Sequence, residues 1–229
     1  MVAPTSTERT LAILLRHGET EWNLSGRWQG QSQNTPLSER GRAQAEIVAR
    51  RLRAYPIRAI YSSDLLRALE TAQIVGEALG LEPTPEQGLR ESDIGQWTGL
   101  TWSEIAARYP EEVAAMIAGQ DVRRGGGESY SELGTRLAAI LERVVAQHTG
   151  QTVLLVSHGA AIRSLVAHAL GASLAQMHRL DIGGNTALSL ISAGNRGLRL
   201  VSYNDTAHLD GAGFAVATAE RLETTVRSE

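Results

Sequence analysis

The chain of 229 residues has no cysteine, a single phenylalanine and, read basic residue by basic residue, no lysine; all 22 of its cations are arginine. Without cysteine there are no disulfides, thiolate metal sites or thiol nucleophiles, a composition that suits the cytoplasm. Without lysine there is no Schiff base and no Walker-type phosphate loop, so an anion has to be held by guanidinium forks, backbone amides or histidine. A net charge of −3 is too near balance to point to nucleic acid or a membrane surface, and any cationic site must therefore be local. No apolar run approaches the ~20 residues of a membrane span, and the longest near the start, LAILL, is too short for the core of a signal peptide. HExxH, Asp-x-Asp and His-x-His clusters are missing as well, so neither a metal nor another cofactor is expected.

What the chain does have is an aliphatic 42% apolar fraction and a repeated grammar. Three segments run from a short apolar strand through a polar turn into a helix-period pattern. TLAILLRHG leads to SERGRAQAEIVARRLRAY, with Ser38 as helix cap. IRAIYSSDLLRALETAQIVGEALG follows the same plan, with Ser62 or Ser63 as cap and Gly80 as stop. QTVLLVSHGAAIRSLVAHALG repeats it with Gly171 as stop. Alternating buried strands and amphipathic helices predict an α/β fold, a three-layer α/β/α sandwich with a mainly parallel sheet. ALSLISAGNRGLRLVSYND reads as two further strands around an Ala-Gly-Asn turn, adding antiparallel pairing at one side. Between Gly80 and Gln151 the pattern changes to turns and helices with no linker, which predicts one domain over 1–229 with a helical insertion over the active site. Its core spans about 11–205; MVAPTSTERT at the start and 206–229 at the end read as tails.

In an open α/β sheet, ligands collect at the carboxyl ends of the strands. Each of the three strands delivers its unusual residues there: Arg16, His17 and Gly18; Ser62, Ser63 and soon Arg67; Ser157, His158 and Gly159. Brought together, two guanidinium groups, two imidazoles and the amides of helix N-termini suit a dianionic phosphate. Glu91, in LRESDIGQWTGL, supplies a carboxyl for proton transfer; Trp97 beside it would provide an aromatic wall that raises its pKa.

These stretches, LLRHGETEWN, SSDLLRALETA, LRESDIGQWTGL, GGGES and VSHGAAIR, resemble in content and order the histidine phosphatase superfamily, the phosphoglycerate-mutase-like proteins. The resemblance covers about residues 11–205. It implies that His17 is the nucleophile and becomes a phosphohistidine, that Glu91 is the proton donor, and that Arg16, Arg67 and His158 hold the phosphoryl oxygens. Asn23 and the backbone near Gln29 and Gly30 match first-loop substrate contacts. For that chemistry His17 should be neutral at its attacking nitrogen, with its other nitrogen bonded to a backbone carbonyl, while His158 would help most as a cation. Gly18 and Gly159 would let the backbone approach the phosphate.

Family members either hydrolyse the phosphohistidine or return its phosphoryl group to a second hydroxyl. The mutases resemble one another in a longer insertion carrying a lysine and an arginine pair; here the lysine is missing and GGGES replaces much of that lid. Hydrolysis of a small phosphorylated metabolite is the expectation, with mutase activity and an idle phospho-ligand binder as alternatives. Arg123 and Arg124 fit either a second anionic group or a solvated basic turn. Trp22, Trp28, Trp97 and Trp102 lie where they could stack on a sugar or base, or simply pack. A homodimer is the default for oligomeric state.

Overall fold

A computed structural model describes residues 9–211; residues 1–8 and 212–229, with most of the two stretches read as tails, lie outside it. Six strands, β1 (Thr10–Arg16), β2 (Ile57–Ser62), β3 (Pro83–Pro85), β4 (Thr152–Ser157), β5 (Leu188–Gly194) and β6 (Gly197–Asp205), form one sheet in the order β3-β2-β4-β1-β5-β6. β1 to β4 run parallel, while β5 and β6 are antiparallel. Pairing of Gly194 with Gly197 leaves Asn195 and Arg196 as the turn, one residue beyond the expected Ala-Gly-Asn, because Gly194 still belongs to the ladder.

The central strands are apolar throughout because both of their faces are covered. Ala12 and Leu14 of β1, with Val153 and Leu155 of β4, face helices α6 (Tyr130–Gln147) and α7 (Gly159–Leu170). Ile13, Leu15, Leu154 and Val156 face the opposite layer, α2 (Glu39–Leu52) and α3 (Leu66–Leu79). The remaining helices are short: α1 (Glu21–Leu24), α4 (Trp102–Arg108), α5 (Pro110–Ile117) and α8 (Leu174–Met177). α4 and α5 pack through Ile105 and Val113 against Ile94 and Trp97, giving the 80–151 region an apolar cluster of its own.

Helix punctuation follows the sequence with one exception. Ser38 caps α2 by accepting from the Gly41 N–H at 3.0 Å, and Gly80 and Gly171 end α3 and α7 in the left-handed conformation. α3, however, starts three residues after Ser63, behind Leu65, with no side-chain cap. Ser62 Oγ donates to the Ser63 carbonyl, while Ser63 Oγ meets His158 and accepts only from the N–H of Leu65, ahead of the helix. At the start of the predicted tail a single 3₁₀ turn, Ala207–Leu209, buries Leu209. Among the described residues no helix is long and apolar enough to cross a membrane.

Candidate active site

β1 and β4 are paired in register up to Arg16 and Ser157, so the residues that follow, His17 and His158, emerge side by side. Their rings lie 5.2 Å apart between centroids. Both are buried. His17 Nδ1 is 2.7 Å from the Gly18 carbonyl oxygen. A carbonyl only accepts, so Nδ1 carries the proton and Nε2 carries the lone pair. Burial first, then the Arg67 and Arg16 charges, holds His17 well below the ordinary histidine range.

His158 Nε2 lies 2.8 Å from Ser63 Oγ, while its Nδ1 is buried without a partner among the described residues. Burial, Arg67, His17 and Arg16 likewise hold it well below the ordinary range.

Arg16 and Arg67 reach the same cleft, of about 180 Å³. Arg16 Nη1 donates to the Gly183 carbonyl, and its Nε is buried and unpartnered among the described residues, as is that of Arg67. Arg67, wholly buried in the first turn of α3, donates to Gly30 O at 2.7 Å and to Ser32 O and Thr35 Oγ1 at 3.0 Å. Burial above all lowers its pKa to about 10, Glu91 opposing and Arg16 adding to the shift. Arg67 thus fastens the first loop as well as facing the cleft. Gly30 sits there at φ +47, and a Cβ would fall 2.5 Å from Ile94 Cγ1, so only glycine fits.

The other expected groups are assembled around this cradle. Asn23, Gln29, Gly30, Glu91 and Gly159 line the cleft. Glu91 accepts from the N–H groups of Ser92 (2.9 Å), Ala160 (3.1 Å) and Ala161 (3.0 Å), which seats its carboxylate at the N-terminus of α7. Trp97 is not its wall. That indole is fully buried among Ile94, Ile105 and Val113, because the 3₁₀ turn Gly95–Trp97 directs it into the α4–α5 cluster. Of the four tryptophans only Trp28 lines the cleft; it stacks on Trp102 at 5.8 Å and meets Trp97 edge-on. Gly18 also has a different purpose from the one expected. A Cβ there would lie 2.5 Å from Gly41 O, so its smallness serves the approach of α2. Gly159 does border the cleft, with Ile182 and Arg16 where its Cβ would be. Ser62 and Ser157 take backbone partners and stay out of it.

The Arg123-Arg124 pair divides. Arg123 is exposed and pairs with Glu132. Arg124 is 2% exposed, lines the cleft, donates to Ser92 Oγ and lies 3.8 Å over the Tyr130 ring. Its Nε is buried without a partner, and among the described residues no carboxylate pairs with it. Ser92, Tyr130 and Ile182 were not anticipated as lining residues: nothing local in the sequence marks them, and they arrive on the loop after Leu89, the start of α6 and the chain before β5. Among the described residues no cluster of three or more His, Cys, Asp or Glu is placed to hold a metal.

Comparison with known proteins agrees with this geometry. The model of the histidine phosphatase superfamily (branch 1) matches residues 12–206. A metal-independent phosphoserine phosphatase of Arabidopsis thaliana is 34% identical, covering 91% of this chain and 87% of its own. A probable phosphoglycerate mutase of Yersinia pestis is 37% identical over 86% of this chain and 94% of its own. Among solved structures, a phosphoserine phosphatase mutant from Entamoeba histolytica, in complex with phosphoserine, superposes with a TM-score of 0.80 at 32% identity, covering 87% of this chain and 99% of that one.

Proposed function

The chain belongs to branch 1 of the histidine phosphatase superfamily and is a metal-independent phosphomonoester hydrolase, and on that premise we propose that it works through a phosphohistidine at His17 on a small metabolite bearing a second anionic group. The observation that carries this reading is the 2.7 Å contact from His17 Nδ1 to the Gly18 carbonyl, which leaves Nε2 as an unprotonated nucleophile.

In the first step Nε2 attacks phosphorus in line, the phosphorus–ester oxygen bond breaks, and Glu91 gives its proton to the departing alkoxide. In the second, water attacks the phosphohistidine while Glu91 takes a proton from it, releasing phosphate and restoring both residues. Arg16, Arg67 and Asn23 stabilise the phosphoryl charge, because phosphoryl transfer depends on positioning and electrostatics. A bound dianion also gives His158 the counter-charge that would let it become cationic. On the leaving-group side, beyond Glu91, Arg124 supports the second anionic group: a buried guanidinium without an acid is costly unless a ligand supplies one. The phosphoserine bound by the Entamoeba relative carries such a group. The absence of cysteine supports a cytoplasmic enzyme.

The test is release of phosphate from p-nitrophenyl phosphate in EDTA, with recovery of acid-labile label on His17 from a radioactive ester. His17→Ala should lower turnover by about 10⁴-fold or more; full activity in that variant overturns the reading. Identity to the probable mutase favours a second reading, phosphoryl return to another hydroxyl, which conversion of 3- to 2-phosphoglycerate with a bisphosphoglycerate primer would reveal.

A further inference from the structure

The main chain of His17 is held on both flanks. On the β4 side its N–H donates to Ser157 O at 3.0 Å. On the other side its carbonyl accepts from Thr186 N (3.3 Å) and from Asn185 Nδ2 (3.2 Å), 168 positions along the chain. These two residues precede β5, whose ladder with β1 is continued by the bond from Arg16 N to Ala187 O at 3.1 Å. Thr186 reaches His17 at φ +58, a left-handed conformation that β-branched residues rarely adopt. It is fully buried there, with Oγ1 3.0 Å from His208 Nε2.

The Asn185 amide nitrogen has a second partner, Asn23 Oδ1, at 3.2 Å. The assignment is unambiguous by chemistry: the His17 carbonyl only accepts, so nitrogen must face it, and that same nitrogen then faces an acceptor on Asn23. Thr20 N and Thr20 Oγ1 converge on the same Oδ1, each at 3.1 Å. With its oxygen turned inward by three donors, Asn23 presents Nδ2 outward, and among the described residues that group donates to nothing. One side chain thus fixes both the nucleophile's backbone and the direction of a phosphate donor, without itself lining the cleft.

From this geometry we infer that Asn185 is a positioning residue for phosphoryl transfer, acting through the His17 carbonyl and the Asn23 amide. The inference rests on the reading of the chain as a His17-dependent phosphatase. Misplacing a reacting group by about 1 Å can cost 10²-fold.

The experiment is steady-state kinetics of the full chain on p-nitrophenyl phosphate for wild type, Asn185→Ala, Asn23→Ala and the double variant, with thermal midpoints. The expected result is a fall of about 10²-fold in kcat for Asn185→Ala at an unchanged midpoint, and a clearly smaller fall when Asn23 is already alanine. A kcat within about two-fold of wild type, or strict additivity of the two substitutions, overturns the inference. A lowered midpoint with normal kcat per folded molecule, the mark of a merely structural role, overturns it too. If the alanine variant does not fold, Asn185→Asp, equal in size but without the two donated protons, is held to the same outcomes. Wild-type turnover in the same assay reports on the phosphatase reading separately; its absence overturns both.

Discussion

The phosphate cradle and the leaving-group wall of the cleft are built by different means. In the cradle, His17 and His158 leave adjacent parallel strands at paired registers, and His17 is tied to main chain at its N–H, carbonyl and ring nitrogen. In the wall, Ser92, Arg124 and Tyr130 come from loops, a 3₁₀ turn and a helix start, and Arg124 is held by one hydroxyl and one ring face. On the proposed reading, backbone ladders position the group common to every phosphomonoester. On the same reading, side chains alone position what differs between substrates, and there the sequence can vary without disturbing the sheet.

Breaking the cradle should therefore harm every substrate, and breaking the wall only some. Arg67→Ala is expected to lower kcat/KM by about 10²-fold or more for all phosphomonoesters alike, measured on protein shown to be folded, since Arg67 also fastens Gly30, Ser32 and Thr35. A loss confined to one substrate would reverse the contrast.

Arg124→Ala is expected to raise KM about tenfold for phosphorylated acids such as phosphoserine, with little change for p-nitrophenyl phosphate, corresponding to one lost charge-assisted contact. Arg123→Ala, which removes only an exposed pair with Glu132, should change neither.

The smallest effect expected is on acid stability. His17 and His158 sit well below 6.5 in the folded state, and burial lowers His208, behind the cradle, to about 4. Above pH ~6.5 these groups leave stability untouched; as pH falls below it the unfolded chain takes up protons that the folded chain refuses, so stability declines between roughly 6.5 and 4. The lowered carboxylates, Asp64 and Glu128 among them, withdraw stability only at more acid pH. Urea midpoints at pH 7.5, 6 and 5 test this, and His208→Gln should flatten the slope by that residue's share. Activity should follow the same contrast: kcat/KM should show no half-loss at pH 6.5, because His17 is still neutral there.

Much of the cradle was legible beforehand because its parts are local. Apolar runs ending in Arg16-His17-Gly18 and Ser157-His158-Gly159 carry strand, turn and functional residue within a few positions, and the helix stops at Gly80 and Gly171 are single-residue signals. Strand-end placement then brought Arg16, His17 and Arg67 to one cleft that Glu91 also lines, with His158 packed beside the His17 ring. Two of the misreadings took a neighbour in sequence for a neighbour in space. Trp97 stands near Glu91 in the chain yet turns into the α4–α5 cluster, and Ser63 stands before α3 yet serves His158, 95 positions away.

The sequence by itself determined the inventory and the chemistry: a lysine-free, cysteine-free α/β chain whose strand ends supply arginines and histidines for a phosphate. Tertiary structure alone decided which member of Arg123-Arg124 turns inward, that Gly18 yields to α2, that Ser63 meets His158, and that Asn185 reaches back to His17. The reason is physical. Helix and strand signals arise from a residue and its near neighbours, whereas burial, charge neutralisation and a hydrogen bond spanning 168 positions exist only after distant segments have packed.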